Sequence, residues 1–359
     1  MGIKIKQLIE ETKRSIREFE GKIVALDGPN IVFRLFSFTY TRANRWETIL
    51  TDRTQRAISH LYGLLYRVKY LYQKKILPIV CFDGLESELK GRYRVSYERF
   101  CREKEAYHDA LEAGKLTKAK QIALGSSFFW KNTLEESKQL LRAMGVPVVI
   151  SPSSAEAQCA ELVKKGVADY SNSHDYDSLL YGCPRIVKNL HKSRKKKVPG
   201  QNRYYSTPIK VIALEHNLRK LRIDRFQLID LALLIGVDYF DGVQGIGAKS
   251  AYNLIKKYKN LECVILHEQD NYAFHLNRER IQTLRELFLF PEVICPGKLA
   301  WNPPNEAKIY ELLLENHTLS PKRVTTNSQK LYREFEACQA HFKKTQKKKI
   351  SKTVQTSLF

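Results

Sequence analysis

Short apolar runs that each end at an acidic residue constrain this chain more than any other feature. Lys22–Leu26 leads straight into Asp27-Gly28-Pro29-Asn30, and Leu77–Phe82 leads into Asp83-Gly84. Val146–Ile150 reaches Glu156 after a short loop, and Gly166–Tyr170 reaches Asp175 and Asp177. Pro184–Lys188 reads as a fifth run. Helical patterns lie between them, after Asn30, over Arg53–Lys75, over Leu134–Met144 and over residues 155–165. Strands alternating with helices imply an α/β fold, a mainly parallel twisted sheet with helices on both faces. In such sheets the ligand crevice lies at the carboxyl ends of the strands. Asp27, Asp83, Glu156, Asp175 and Asp177 are therefore expected along one edge, with Asp238 a sixth if the chain after it folds back.

Each acid has an ordinary explanation by itself. Asp27-Gly28 and Asp83-Gly84 are common turn dipeptides. Ser153-Ser154-Ala155-Glu156 fits a capping box, and Asp175-Tyr176-Asp177 fits a solvated loop. Taken together, five or six carboxylates cannot share a small space as bare anions. An all-oxygen set suits two Mg²⁺ or Mn²⁺ rather than zinc. A pair of ions about 4 Å apart can activate water and stabilise the leaving oxygen of a phosphoryl displacement.

Charge points to the same chemistry. Lys and Arg number 61 against 38 acids, a formal net charge of +23. That excess calls for a polyanionic partner, nucleic acid first and an anionic membrane surface second. The stretch Ile3–Phe19 reads as a solvated surface helix rather than a membrane anchor. The longest apolar run, Leu228–Val237, is too short to span a bilayer. Seven scattered cysteines without C-x-x-C spacing fit a reducing compartment and indicate no zinc site. With no signal peptide at the start, the expectation is an intracellular protein, cytoplasmic or nucleoid-associated in an archaeon and nuclear in a eukaryote.

Residues 86–133 are charged and helix-prone, so they read as an insertion projecting from the sheet. His191–Arg203, with Arg194-Lys195-Lys196-Lys197, reads as a basic hairpin. Beyond residue 208 the chain reads as helical to about 290, and from about Lys343 as a Lys-rich disordered tail. The implied organisation is 1–85 and 134–240 as the sheet regions that carry the acids, 86–133 as the insertion, 241–335 as a helical region and 336–359 as a basic tail.

In order and spacing, several stretches resemble the flap structure-specific 5′-nucleases, above all the archaeal members. They are Met1-Gly2-Ile3, Val24–Asp27, Cys81–Gly84, Ser151–Ala157, His174–Gly182, Gly236-Val237-Asp238-Tyr239 and Gly245-Ile246-Gly247. The resemblance implies that Asp27, Asp83 and Glu156 hold one catalytic metal, and Asp175, Asp177 and Asp238 the second. It implies that 86–133 is a helical arch over a free 5′ strand, with Lys90 reaching the scissile phosphate. Gly2 and Phe33 would touch the nucleic acid, Phe33 standing where the family stacks a tyrosine on a base. Gly245, Gly247 and Lys249 would form a helix–hairpin–helix gripping the duplex, with a bound K⁺, and Lys256 and Lys257 would add phosphate contacts. The expected partner is branched, 5′-flap DNA, with the protein acting as a monomer in replication and repair.

Three departures stand out. The family carries two glutamates after the third strand, and here Ser154 occupies the first position. Where the family places an arginine in the arch, this chain has Tyr97, and Arg94, Arg99 or Arg102 lie nearby to substitute. At the C-terminus, Gln355, Leu358 and Phe359 resemble the start of a sliding-clamp peptide. The rival readings are a catalytically impaired, structure-selective DNA-binding homologue and an RNA-directed nuclease of the same fold.

Overall fold

Val24 and Leu26 pack on one side of their strand and Ala25 on the other, because successive side chains of a strand point to opposite faces. The same alternation sends Ile79 and Cys81 one way and Val80 and Phe82 the other. Strands apolar on both faces must be covered on both faces, and this pattern organises the molecule. The computed structural model describes residues 3–43, 50–84, 97–123, 126–191, 195–197 and 204–356. Only the backbone is described at 36–43, 97, 98, 100, 126–128, 195–197, 204–206 and 346–356.

In chain order the elements are β1 (Thr12–Arg14), β2 (Ile23–Asp27), α1 (Gly28–Ala43), α2 (Ser59–Gln73) and β3 (Leu77–Phe82). Then come α3 (Tyr97–Glu112), α4 (Leu116–Ala123), α5 (Ser126–Ala143), β4 (Val148–Ile150), α6 (Ala155–Lys164), β5 (Tyr170–Asn172), α7 (Asp177–Leu180) and β6 (Arg185–Lys188). The hairpin β7 (Lys195–Lys197) and β8 (Tyr204–Ser206) precedes β9 (Ile209–Ala213) and α8 (Leu214–Leu221). The remainder is helical: α9 (Arg225–Ile235), α10 (Ala248–Tyr258), α11 (Leu261–Glu268), α12 (Arg278–Leu289), α13 (Glu306–Tyr310) and α14 (Pro321–Thr356).

The main sheet has seven strands in the order β1-β9-β6-β5-β2-β3-β4. Strands β2 to β6 run parallel to their neighbours, while β9 pairs antiparallel with β6 and β1. One face carries α6 and the α8–α12 region; the other carries α1, α2, α5 and α14. Each buried Leu or Ile in these layers contributes roughly 1.5–3 kcal/mol. The helices α3 and α4 have a small core of their own around Tyr107, Ala110, Ala119 and Ala123.

Several expectations are corrected. Ile3–Phe19 is not a helix: it holds a turn, β1 and a 3-10 turn at Ile16–Phe19. β1 exists because β9 offers it an edge, with Thr12 opposite Val211. That strand, Ile209–Ala213, also opens a segment read as wholly helical. The fourth parallel strand begins at Tyr170 rather than Gly166, since Gly166 adopts φ +72 and Ala168 turns back on Leu162. The tail expected to be disordered from Lys343 continues α14 to Thr356, a run without Gly or Pro to stop it. That helix crosses the division drawn at 335/336, as α5 crosses the one at 133/134. Asp27-Gly28 is not a turn: Gly28 opens α1 directly, and a Cβ there would lie 2.7 Å from the Cys81 carbonyl oxygen, while the residues that follow Asp83-Gly84 lie outside the described ones.

Candidate metal centre and nucleic-acid interface

The acids meet where the topology requires. Asp27 ends β2 and is buried, and Asp83 follows β3, its Oδ1 accepting from the Ala155 backbone N–H at 2.7 Å. Gly84 lets the β3 end approach the β4 loop, for a Cβ there would sit 1.9 Å from the Ser151 carbonyl oxygen. Glu156 stands in the first turn of α6, where Ser173 Oγ donates to its Oε1 at 2.8 Å. The loop after β5 brings Asp175, whose Oδ2 accepts from Asn30 Nδ2 at 2.7 Å. Asp177 opens α7 and accepts from the Ile3 backbone N–H at 2.9 Å.

Crowding shows in the proton affinities of Glu156 and Asp177. Burial pushes Glu156 well above the ordinary carboxylate range, with Asp177, Asp27 and Asp175 adding repulsion. Burial pushes Asp177 up to about 7; the Ile3 N–H opposes this, and Asp238 and Asp175 reinforce it. Asp238 therefore joins the cluster: α9 ends at Gly236, whose φ of 113 turns the chain back to the sheet edge. Asp83 is tied to the same α6 terminus through Ala155.

Do these residues suit divalent ions? Among the described residues, no three acidic, His or Cys groups already close around one point that could hold an ion. The donors are nevertheless all oxygens, they repel one another, and the buried Asn30 Oδ1 beside them has no hydrogen-bond partner. Hard oxygen ligands with surplus negative charge are what Mg²⁺ or Mn²⁺ requires. Ser154, the departure from the family pattern, is the N-cap of α6, its Oγ accepting from the Glu156 N–H at 3.2 Å.

Beside the acids lies a set of basic side chains that the sequence reading missed. Arg67 is held by Asn172 Oδ1 at 2.6 Å, its Nε is buried without a partner, and no carboxylate among the described residues pairs with it. Burial, then the repulsion of Arg34, lowers its guanidinium pKa to about 10. Arg34 itself is lowered by burial, against the pull of Asp175. Both ring nitrogens of His174 are buried without partners. Burial and the cations Arg34 and Arg67 push its pKa down to about 2, so it is neutral. A signal for Arg67 exists in the sequence: it follows Leu64 by three positions, on the α2 stripe that otherwise faces the core.

Phe33 stands 60% exposed at the start of α1, its ring edge-on to Trp130 at 5.9 Å. Gly245, at φ +86, and Gly247, the N-cap of α10, leave the α10 amino end open, with Lys249 exposed beside it. Lys256 instead bonds the Arg222 carbonyl oxygen, and Lys257 lies over the Tyr258 ring. Gly2, Lys90, Arg94, Leu358 and Phe359 lie outside the described residues, and of Gln355 only the backbone, within α14, is described. The described cysteines are all free thiols, and no described helix is long and apolar enough to cross a membrane.

Residues 1–104 match the XPG N-terminal domain and residues 145–238 the XPG I-region. The chain is 40% identical to a flap endonuclease 1 of Staphylothermus marinus over 342 residues, covering 93% of this chain and 95% of that one. It is 38% identical to a flap endonuclease 1 of Nanoarchaeum equitans, covering 90% of this chain and 93% of that one. Among solved structures, a flap endonuclease-1 from Methanococcus jannaschii superposes with a TM-score of 0.69 at 28% identity, covering 94% of this chain and 99% of that one.

Proposed function

Because the chain belongs to the flap endonuclease family of XPG-type nucleases, we propose that its carboxylate edge is the catalytic centre of a structure-specific 5′-flap endonuclease. The protein is a metal-dependent hydrolase of DNA phosphodiester bonds. One observation carries the assignment of the site: Asp27, Asp175 and Asp177 crowd Glu156, and Asp175 and Asp238 crowd Asp177, closely enough to add to the rise that burial gives these two carboxyls. In our reading Asp27, Asp83 and Glu156 hold one Mg²⁺ or Mn²⁺, and Asp175, Asp177 and Asp238 hold another. Bound divalent ions would supply charge neutralisation and polarise the attacking water and the phosphoryl oxygen.

The chain's own groups do the rest. Arg67, which no described carboxylate pairs with, and Arg34, which feels Asp175, provide positive charge for a DNA phosphate beside the acids, where an arginine fork is suited to phosphate oxygens. Neutral His174 offers a hydrogen bond without adding repulsion. Phe33 supplies an exposed face for a base. The Gly245–Gly247 turn and α10 amino end, with Lys249, act as a helix–hairpin–helix that presents backbone N–H groups to a duplex phosphate, with K⁺ as its companion ion. In our reading residues 86–133 serve as the arch for the flap strand, and Lys90 and Arg94 are its phosphate contacts. Gln355, Leu358 and Phe359 serve as a sliding-clamp contact, and the enzyme works as a monomer. Ser154 leaves one ligand position to water, so metal affinity is below that of a site with a seventh carboxylate at that position.

Cleavage of an end-labelled 5′-flap duplex in Mg²⁺, beside Asp177→Ala and Ser154→Glu, tests this. Junction-proximal cutting lost in Asp177→Ala is expected, with Ser154→Glu reaching half-maximal rate at about tenfold lower Mg²⁺. Tight flap binding without cutting, in Mn²⁺ as well, would overturn the nuclease in favour of a DNA-binding homologue.

A further inference from the structure

A buried charge cluster behind the acidic edge has no role in the mechanism above. Glu11, just before β1, places its nearly buried carboxylate between two ammonium groups. Lys188 Nζ on β6 is 3.4 Å away, and Lys210 on β9 is hydrogen-bonded to the other oxygen. Tyr176 donates its hydroxyl to Glu11 Oε1 at 2.8 Å, and Lys188 Nζ rests 3.2 Å from the Tyr176 ring centroid. Tyr176 is the residue between Asp175 and Asp177. The segment that carries Glu11 also sends the Ile3 N–H to Asp177, so it holds the Asp175–Asp177 loop at two successive residues, Tyr176 and Asp177.

Lys188 has two acids within electrostatic reach, Glu11 and Asp175. Lysine is a point charge on a flexible stem, so its position follows whichever carboxylate attracts it more. With Glu11 in place, the ammonium lies on the Tyr176 face. Without it, Lys188 and Lys210 repel each other, and the next acid open to Lys188 is Asp175. We propose that Glu11 is a positioning residue that keeps Lys188 off Asp175, leaving that carboxylate available to a divalent cation. The inference rests on the metal-centre reading above, and it makes Lys188 a built-in competitor of the metal.

Metal uptake without turnover tests it. Mn²⁺ is titrated into the metal-free full chain, and the free ion is followed by its electron paramagnetic resonance signal. Glu11→Gln is expected to weaken uptake about tenfold, the lower end of what outer partners of metal ligands contribute. The double variant Glu11→Gln/Lys188→Met is expected to recover to within about twofold of wild type, because the competitor is gone. A purely structural role would give no recovery, since the second substitution removes a further buried contact. Uptake unchanged in Glu11→Gln, or a double variant as weak as the single, overturns the proposal. Should Glu11→Gln fail to fold, Glu11→Asp with and without Lys188→Met runs the same cycle with the charge retained but shortened. A wild type that takes up no Mn²⁺ overturns the metal-centre reading and this one together, whereas wild-type uptake with unmoved variants overturns this one alone.

Discussion

Arg285→Met is expected to destabilise the protein more than any other single change in the α9–α12 region. The Arg285 guanidinium is buried and meets Asp230 of α9 through two bonds of 2.7 and 2.8 Å. It also meets Glu262 of α11 at 2.6 and 2.7 Å. Glu262 is 40% exposed in its side chain and can turn to water, but Asp230 is fully buried. Once the arginine is gone, Asp230 keeps only the Leu261 N–H at 2.9 Å. Burial, with a smaller push from Glu262, raises the Asp230 carboxyl, and Arg285 is the main group that opposes it, with help from the Leu261 N–H. Breaking a buried pair by removing one partner costs about 3–5 kcal/mol. With a urea m-value of about 3 kcal/mol/M, the midpoint should fall by roughly 1–1.7 M. Asp230→Leu/Arg285→Met should recover much of that loss, because an apolar replacement leaves no stranded charge and forfeits chiefly the Leu261 bond, about 1–3 kcal/mol. Urea denaturation followed by circular dichroism on wild type, single and double variants measures this. A double variant no more stable than the single would refute the reasoning, showing that arginine packing, including its stack over Phe226, matters more than charge. The result bears on activity, because α9 ends three residues before Asp238 and its seating sets that carboxylate.

Two further perturbations probe other parts of the fold. His317 joins Asp52 at 2.8 Å and Glu136 at 3.1 Å, and these bonds outweigh burial to hold its pKa above the ordinary value. A raised folded pKa gives stability that is complete below about 6.5 and lost as pH rises through the raised value. The melting-temperature advantage of wild type over His317→Gln should therefore shrink as pH climbs above 6.5; a constant difference would count against an ion pair. Asp52 and Glu136 are held below their ordinary values against burial, so their share is lost only in acid, as pH falls through those lowered values. Gly84→Ala forces a Cβ to within 1.9 Å of the Ser151 oxygen, so the β3 end must move. Flap cleavage should drop at least tenfold while DNA affinity measured in EDTA changes little; unaltered cleavage would show that the Asp83 loop tolerates the shift.

The part of the centre carried by parallel strands is legible in the sequence, because a buried strand is a local apolar run and the acid simply follows it. Asp27 after Ile23–Leu26 and Asp83 after Leu77–Phe82 need no knowledge of the remaining chain. Illegible are the features that depend on distant partners. Thr12–Arg14 is polar throughout and becomes a strand only because β9, some two hundred residues later, supplies hydrogen bonds. Arg67 is the intermediate case: its place on the core-facing stripe of α2 can be read from the sequence, but its neighbours Asn172 and Arg34 cannot. The tail reads as disordered from its lysines, yet lysine is a good helix former and the preceding turns of α14 are already nucleated on α2.

The packing of α14 on α2 has a consequence for how the protein is made. Phe335 meets the Tyr72 ring, and Val324, Leu331 and Cys338 fill the layer that Leu61, Leu65 and Leu71 begin. The apolar side of α2 that α14 covers thus stays open to water until residues 324–338 are made, although all six site carboxylates precede residue 239. A chain whose core is completed by a late helix exposes apolar surface until that helix arrives. Every ligand of the centre is therefore made roughly a hundred residues before the helix that completes the layer behind it.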